Sequence, residues 1–149
     1  MVEKRYPRNL MATACIPWKE VFFDEDMFRR EVRNLRENGL KSIYTFGTAR
    51  EGYSVSNRQF YEIVQAFKEE TDLYPGPLPM VGIISLPAQE TIERIEKAAG
   101  TGIKDVQISF PCWGELADNE VKKYFHFVCD RFPDFRFMHY NDSFKPIKK

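Results

Sequence analysis

Histidine occurs only twice in the 149 residues and cysteine three times, at Cys15, Cys112 and Cys129. An odd cysteine count without paired C-x-x-C spacing excludes a disulfide framework and a zinc-finger type of site. His126 and Cys129 stand three apart on an expected helix. Two ligands with no second pair do not hold a metal, so both are read as structural and no metal is expected. An excess of charge is also missing: 22 Lys and Arg balance 22 Asp and Glu. No basic stripe alternates with aromatics, which argues against a nucleic-acid partner. No apolar run approaches membrane-span length, so no membrane partner is expected. The N-terminal "MVEKRYPRNL" lacks the apolar stretch of a signal peptide, which leaves the cytoplasm as the expected location. The dinucleotide fingerprint G-x-G-x-x-G does not follow the first apolar stretch, so a Rossmann-like binder is disfavoured.

What is present suits one globular domain spanning 1–149, with 43% hydrophobic and 30% charged residues and 13 Phe to fill a core. Five apolar stretches alternate with four amphipathic ones. "MATACIPW" (Met11–Trp18) is the first strand, ended by Pro17. Asp24 can cap a helix that puts Phe28, Val32 and Leu35 on one face, and Asn38-Gly39 stops it. "SIYTF" (Ser42–Phe46) is the second strand. Ser56 and Gln59 make a capping box before Phe60, Ile63, Val64 and Phe67, which follow the i, i+3, i+4, i+7 rule. "MVGIIS" (Met80–Ser85) is the third strand, and a helix carrying Ile92, Ile95 and Ala99 runs from it to "GTG" (Gly100–Gly102). "DVQISF" (Asp105–Phe110) is the fourth strand, closed by Pro111. A helix after Asp118 carries Val121, Tyr124, Phe125 and Val128 and ends at Phe132-Pro133. "FRFMHY" (Phe135–Tyr140) is the fifth strand.

Strands that alternate with helices imply an α/β fold with a parallel sheet. Two architectures fit: an open doubly wound sheet, or part of an eight-fold barrel. In both, ligands sit at the carboxyl ends of the strands. "FGTAREG" (46–52) occupies such an end. There Gly-Thr-Ala offers open backbone N–H groups to a carboxylate or phosphate, or else makes a plain strand-to-helix turn.

Five strand ends carry a resemblance: "ATACIPW", "FGTAREG", "MVGIIS", "ISFPCW" and "HYND", in that order from about Met11 to Asn141. Together they resemble the dihydrodipicolinate synthase / N-acetylneuraminate lyase family of class I aldolases. The resemblance implies a (β/α)8 TIM barrel, homo-oligomeric in full-length members, and a lyase acting on a 2-oxo acid such as pyruvate. It implies no cofactor, because a lysine on the sixth strand forms the Schiff base. By the same resemblance, the N–H groups of Thr48 and Ala49 bind the substrate carboxylate. Tyr140 is the general acid/base, Thr48 relays its proton, and Trp113 takes the place of a fourth-strand tyrosine. Glu51 and Asn141 match positions that support the loops.

The sequence also departs from that pattern. Ala49 replaces a threonine, Arg50 a glycine, and Trp113 a phenol that could shuttle a proton where indole cannot. Lys145, Lys148 and Lys149 precede the helix that leads to the sixth strand, so none is assigned as the Schiff-base residue. The expectation is a partial barrel, the first four βα units plus the fifth strand. It would be truncated and inactive alone, or else a carboxylate-binding half-barrel or one that assembles with another chain. His139, alternating with Tyr140, should face away from the barrel axis. His126 should lie on a helix surface or in packing.

Overall fold

The computed structural model describes residues 10–47, 52–76, 79–85, 87–110 and 116–140. Eleven elements follow one another among these residues. They are β1 (Met11–Thr13), β2 (Trp18–Lys19), β3 (Phe22–Phe23), α1 (Glu25–Glu37), β4 (Ser42–Thr45) and α2 (Asn57–Asp72), then β5 (Met80–Ile83), α3 (Ala88–Gly100), β6 (Asp105–Ile108), α4 (Asp118–Cys129) and β7 (Arg136–His139). Strands β1, β4, β5, β6 and β7 form one sheet in that order, every pair parallel.

The order decides between the two architectures. A doubly wound sheet reverses its strand order at a switch point, which sends helices to both faces. Here each new strand adds beside the previous one without reversal. Right-handed crossovers then put every helix on the same face. Accordingly α1 packs on α2, α2 on α3 and α3 on α4. This is the arrangement of a barrel wall.

The local signals explain the boundaries. Asp24 accepts from the Met27 N–H at 3.2 Å and caps α1, whose first turn carries Glu25 and Asp26 toward the positive end of the helix dipole. Ser56 and Gln59 form their reciprocal box at α2, at 3.0 and 3.3 Å. At α4 the Glu120 carboxylate accepts from the Ala117 N–H at 2.7 Å. The first expected strand is shorter than its apolar run. Only Met11–Thr13 joins the sheet, while Trp18–Lys19 pairs antiparallel with Phe22–Phe23. Pro17 breaks the run, and Glu20, at φ 56, makes the tight reversal between β2 and β3.

The core lies between the sheet and the helices. Ile43, Val81, Ile83, Val106 and Ile108 alternate onto the helix side, where they meet Phe28, Val32, Phe60, Ile63, Phe67, Ile95 and Val128, all buried. The opposite face carries Thr13, Tyr44, Gln107 and Met138, and is partly open at Thr13, Tyr44 and Met138. At its amino-terminal end Arg136 clasps the buried Asp105 carboxylate, through Nε at 2.6 Å and through Nη2, in register between β6 and β7. A one-residue slip would break that fork and turn Phe137 and His139 out of the core. No helix among the described residues is long and apolar enough to cross a membrane.

Candidate functional site at the carboxyl rim

All five parallel strands end on one rim, where Cys15, Phe46, Ile84, Ser109 and Tyr140 follow each other across the sheet. The rim departs from regular structure at Phe46. Strand alternation would place this side chain beside Tyr44 on the open face. Instead Phe46 adopts φ 64, and its ring turns into the helix layer, fully buried against Phe60 with centroids 4.8 Å apart. A bulky residue in the left-handed region is strained, so the surroundings must enforce it.

Two glycines do so. A Cβ on Gly82 of β5 would stand 2.9 Å from the Phe46 carbonyl carbon and 3.1 Å from the Thr45 carbonyl oxygen, and nearer still to the Phe46 oxygen. A Cβ on Gly52 would stand 2.6 Å from that same oxygen. The Phe46 carbonyl is thus wedged between two backbones that lack side chains. The connection from β4 to α2 leaves the sheet at Phe46 and comes back against it at Gly52.

Tyr44 lies under the start of this connection. A Cβ on Gly47 would stand 3.0 Å from Tyr44 Cζ and Cε2, with the hydroxyl closer. Tyr44 therefore presents a phenol on the open face beside the residue before Thr48. On that face Gln107 Nε2 donates to Ser109 Oγ at 3.0 Å. At the β1 end the Cys15 N–H donates to the Glu31 carboxylate at 2.7 Å. The Tyr124 hydroxyl donates to the Ser109 carbonyl at 3.0 Å, and burial pushes its pKa up.

Among the expected site residues Tyr140 is described. Its N–H continues the β7 ladder to the Ile108 carbonyl at 3.1 Å, and the residue is 50% exposed. Thr48, Ala49, Arg50, Glu51, Trp113, Asn141 and the terminal lysines lie outside the described residues, as do Pro111 and Cys112. Strand order puts Tyr140 three strands from the end of β4, about 14 Å along a flat sheet at the usual strand spacing. His139 packs on Phe110 at 4.4 Å and on Phe125 of α4 at 5.3 Å, so it faces the helices and away from Tyr140. His126 is on the surface, its Nδ1 3.1 Å from Asp130. Among the described residues no three His, Cys, Asp or Glu side chains are grouped to hold a metal.

Sequence reasoning passed over Tyr44 and Arg94. Arg94 is 2% exposed on α3, in the buried stripe with Thr91, Ile95 and Ala98. A charge at a core position of an amphipathic helix was a usable signal, because arginine is buried only when fully paired. For Tyr44 the sequence offered no signal beyond its place in a strand.

No protein-family profile matches the chain, and neither does any curated protein. Many solved structures do. The 4-hydroxy-tetrahydrodipicolinate synthase from the thermoacidophilic methanotroph Methylacidiphilum fumariolicum SolV superposes with a TM-score of 0.81 at 20% identity, covering 91% of this chain and 45% of that one. The dihydrodipicolinate synthase from Cyanidioschyzon merolae, solved with lysine bound, gives 0.82 at 23%, covering 90% and 46%. A prophage protein of the dihydrodipicolinic acid synthase family from E. coli, solved in complex with pyruvate, gives 0.82 at 18%, covering 90% and 44%. The chain spans less than half the length of these structures. It has the α/β fold of one half of a dihydrodipicolinate-synthase-type TIM barrel.

Proposed function

We propose that this chain belongs to the dihydrodipicolinate synthase / N-acetylneuraminate lyase family. In this reading it supplies the carboxylate-binding and proton-handling half of a Schiff-base aldolase site for a 2-oxo acid such as pyruvate. The observation that carries the reading is the enforced left-handed turn at Phe46. It sets the backbone of Gly47, which Thr48 and Ala49 follow in sequence, at the carboxyl rim of a barrel wall that also bears Tyr140. The fold likeness adds support, since one structure sharing it was solved with pyruvate.

In this reading the N–H groups of Thr48 and Ala49 hold the substrate carboxylate, and Ala49 contributes its amide alone. Trp113 lines the site. The Tyr140 phenol gives a proton to the 2-oxo carbon's oxygen as an amine adds, and Thr48 relays it. The amine attacks the ketone carbon and water leaves, so the resulting imine can accept the electrons of the broken carbon–carbon bond. We place that amine on a segment or chain beyond this half-barrel, because the structures sharing the fold are each covered for less than half.

The test is to treat the 149-residue chain with pyruvate and borohydride and weigh it, alongside a calorimetric titration with pyruvate and other 2-oxo acids. The expected result is saturable heat and no added mass. A pyruvyl adduct on any lysine would overturn the placement of the amine. An absence of heat at millimolar ligand would end the reading altogether.

A second reading has its own support. The sheet ends at β1 and β7, and among the described residues neither strand has a partner on its outer side. Unpaired parallel edges invite association. The half-barrel would then act in assembly with another chain, and a monodisperse monomer by light scattering would count against it.

A further inference from the structure

We propose that Arg94 is the positioning residue of the β4–α2 connection and, through it, of the carboxylate cradle. This rests on the reading above for the cradle, but not for the clamp itself.

Arg94 is a nearly inaccessible guanidinium whose bonds converge on one short stretch. Nη2 donates to the Val55 carbonyl at 3.0 Å and to Glu90 Oε1 at 3.3 Å. Nη1 donates to the Gly52 carbonyl and to the Ile84 carbonyl, both at 3.3 Å. Nε donates to Asn57 Oδ1 at 2.9 Å. The plane lies over the Phe60 ring, 5.0 Å from its centroid. Glu90 in turn accepts from the Ser85 hydroxyl. One cation therefore joins both ends of the 52–55 stretch, the first residue of α2, the end of β5 and α3.

Its acceptors are the informative part. Gly52 touches the Phe46 carbonyl, and Phe60 touches the Phe46 ring. Arg94 therefore holds two of the three groups packed against Phe46, Gly52 and Phe60, the third being Gly82. Gly47, the next residue, takes its direction from the left-handed conformation of Phe46. A planar fork with donors in fixed directions can reach carbonyls on two elements at once, whereas an ammonium on a flexible stem cannot. The isolated charge would be costly to bury unpaired, and here Glu90 and three carbonyls compensate it.

The test compares wild type, Arg94→Lys and Arg94→Met by hydrogen exchange and by pyruvate titration, with melting temperature as the control for folding. In Arg94→Lys, exchange at the amides of 52–56 should rise about tenfold or more, since a charged-group hydrogen bond is lost at each end of the stretch. Exchange in α1 and β6 should stay at wild-type rates. Pyruvate binding should weaken by about tenfold. Arg94→Met should show the same pattern more strongly, or unfold. Unchanged exchange at 52–56 in Arg94→Lys, or an equal rise everywhere, overturns the clamp. A loosened stretch with pyruvate bound as tightly as by wild type overturns the link to the cradle. If wild type itself binds no pyruvate while the stretch loosens selectively, the proposed function and its cradle fall and the clamp stands.

Discussion

Gly82 offers the most direct test of the rim. It sits within β5, a position that β-propensity would give to a branched residue, and glycine there weakens a strand. Its role is to leave room for the Phe46 carbonyl. In Gly82→Ala the new methyl would be 2.9 Å from the carbonyl carbon, against an ordinary contact of 3.4 Å or more. The obstructing atoms are backbone, so no rotamer change relieves them. The carbonyl cannot retreat either, because Gly52 closes its other side. The β4 end or β5 must therefore shift by about half an ångström or more within a packed interior, where overpacking costs roughly 1–3 kcal/mol. With relief blocked on both sides, we expect the upper end, about 3 kcal/mol. For a chain of this size that lowers the melting temperature by roughly 6–12 °C.

Urea unfolding followed by circular dichroism measures the effect as a lowered midpoint at unchanged slope. Gly100→Ala serves as the control. A Cβ there meets nothing within 4 Å, and Gly100 is not among the positive-φ residues at the end of α3. Losing unfolded-state freedom should stabilise that variant by about 0.4–1 kcal/mol. If Gly82→Ala falls within about 0.5 kcal/mol of wild type, as ordinary surface substitutions do, the wedged carbonyl is not a constraint and the account of Phe46 is wrong.

Two further substitutions test the β7 side of the sheet. Burial pushes the His139 imidazole below its ordinary pKa, and Nε2 is buried with no hydrogen-bond partner among the described residues. The unfolded chain takes up this proton near pH 6.5 and the folded chain only at lower pH, so stability falls as pH drops through that window. His139→Phe keeps the aromatic stack with Phe110 and Phe125 and should reduce the loss of stability between about pH 7 and pH 5; an identical pH profile would refute this. Asp105→Asn removes one acceptor and the charge from the Arg136 fork. It should cost about 1–2 kcal/mol by urea midpoint, a charge-assisted bond discounted for the exposed arginine end.

The elements that were legible in the sequence are those built from local chemistry. Asp24, Ser56 and Gln59 cap helices by bonds to residues three away, so their spacing alone announces them. Phe60, Ile63, Val64 and Phe67 all lie in the core as their period requires. The β2–β3 hairpin was not legible. Its strands have two residues each, too few for alternation, and its left-handed position is Glu20 where glycine or asparagine would give the signal. Strand order was not legible either, since the same alternation of elements builds an open sheet or a barrel wall. Sequence drew attention to Gly-Thr-Ala at 47–49, of which Gly47 is described, and singled out nothing at Phe46. The structure shows the enforced residue to be Phe46, one position earlier, held by contacts from Gly52 and Gly82. Those contacts join residues 36 apart in the chain at Phe46 and Gly82, and no local pattern encodes them.

That displacement bears on function. A chain that only had to pass from β4 to α2 could place glycine at the left-handed position and avoid strain of about 1–3 kcal/mol. Here the strained position is a phenylalanine. Its ring is anchored in the core against Phe60, its carbonyl is confined by two glycines, and Arg94 holds the neighbouring carbonyls. A glycine would reach the same φ but would also leave it freely, and the backbone after it would sample many directions. Phe46 instead ties the direction of the backbone entering Gly47 to the position of a ring that cannot move without opening a cavity. Such over-determination is of little use to a simple connection between two elements. It is what a site needs when backbone N–H groups must stay aimed at a ligand, because donors fixed before binding lose no freedom on binding. The confinement falls on Phe46, from which the chain leads through Gly47 to the proposed carboxylate cradle.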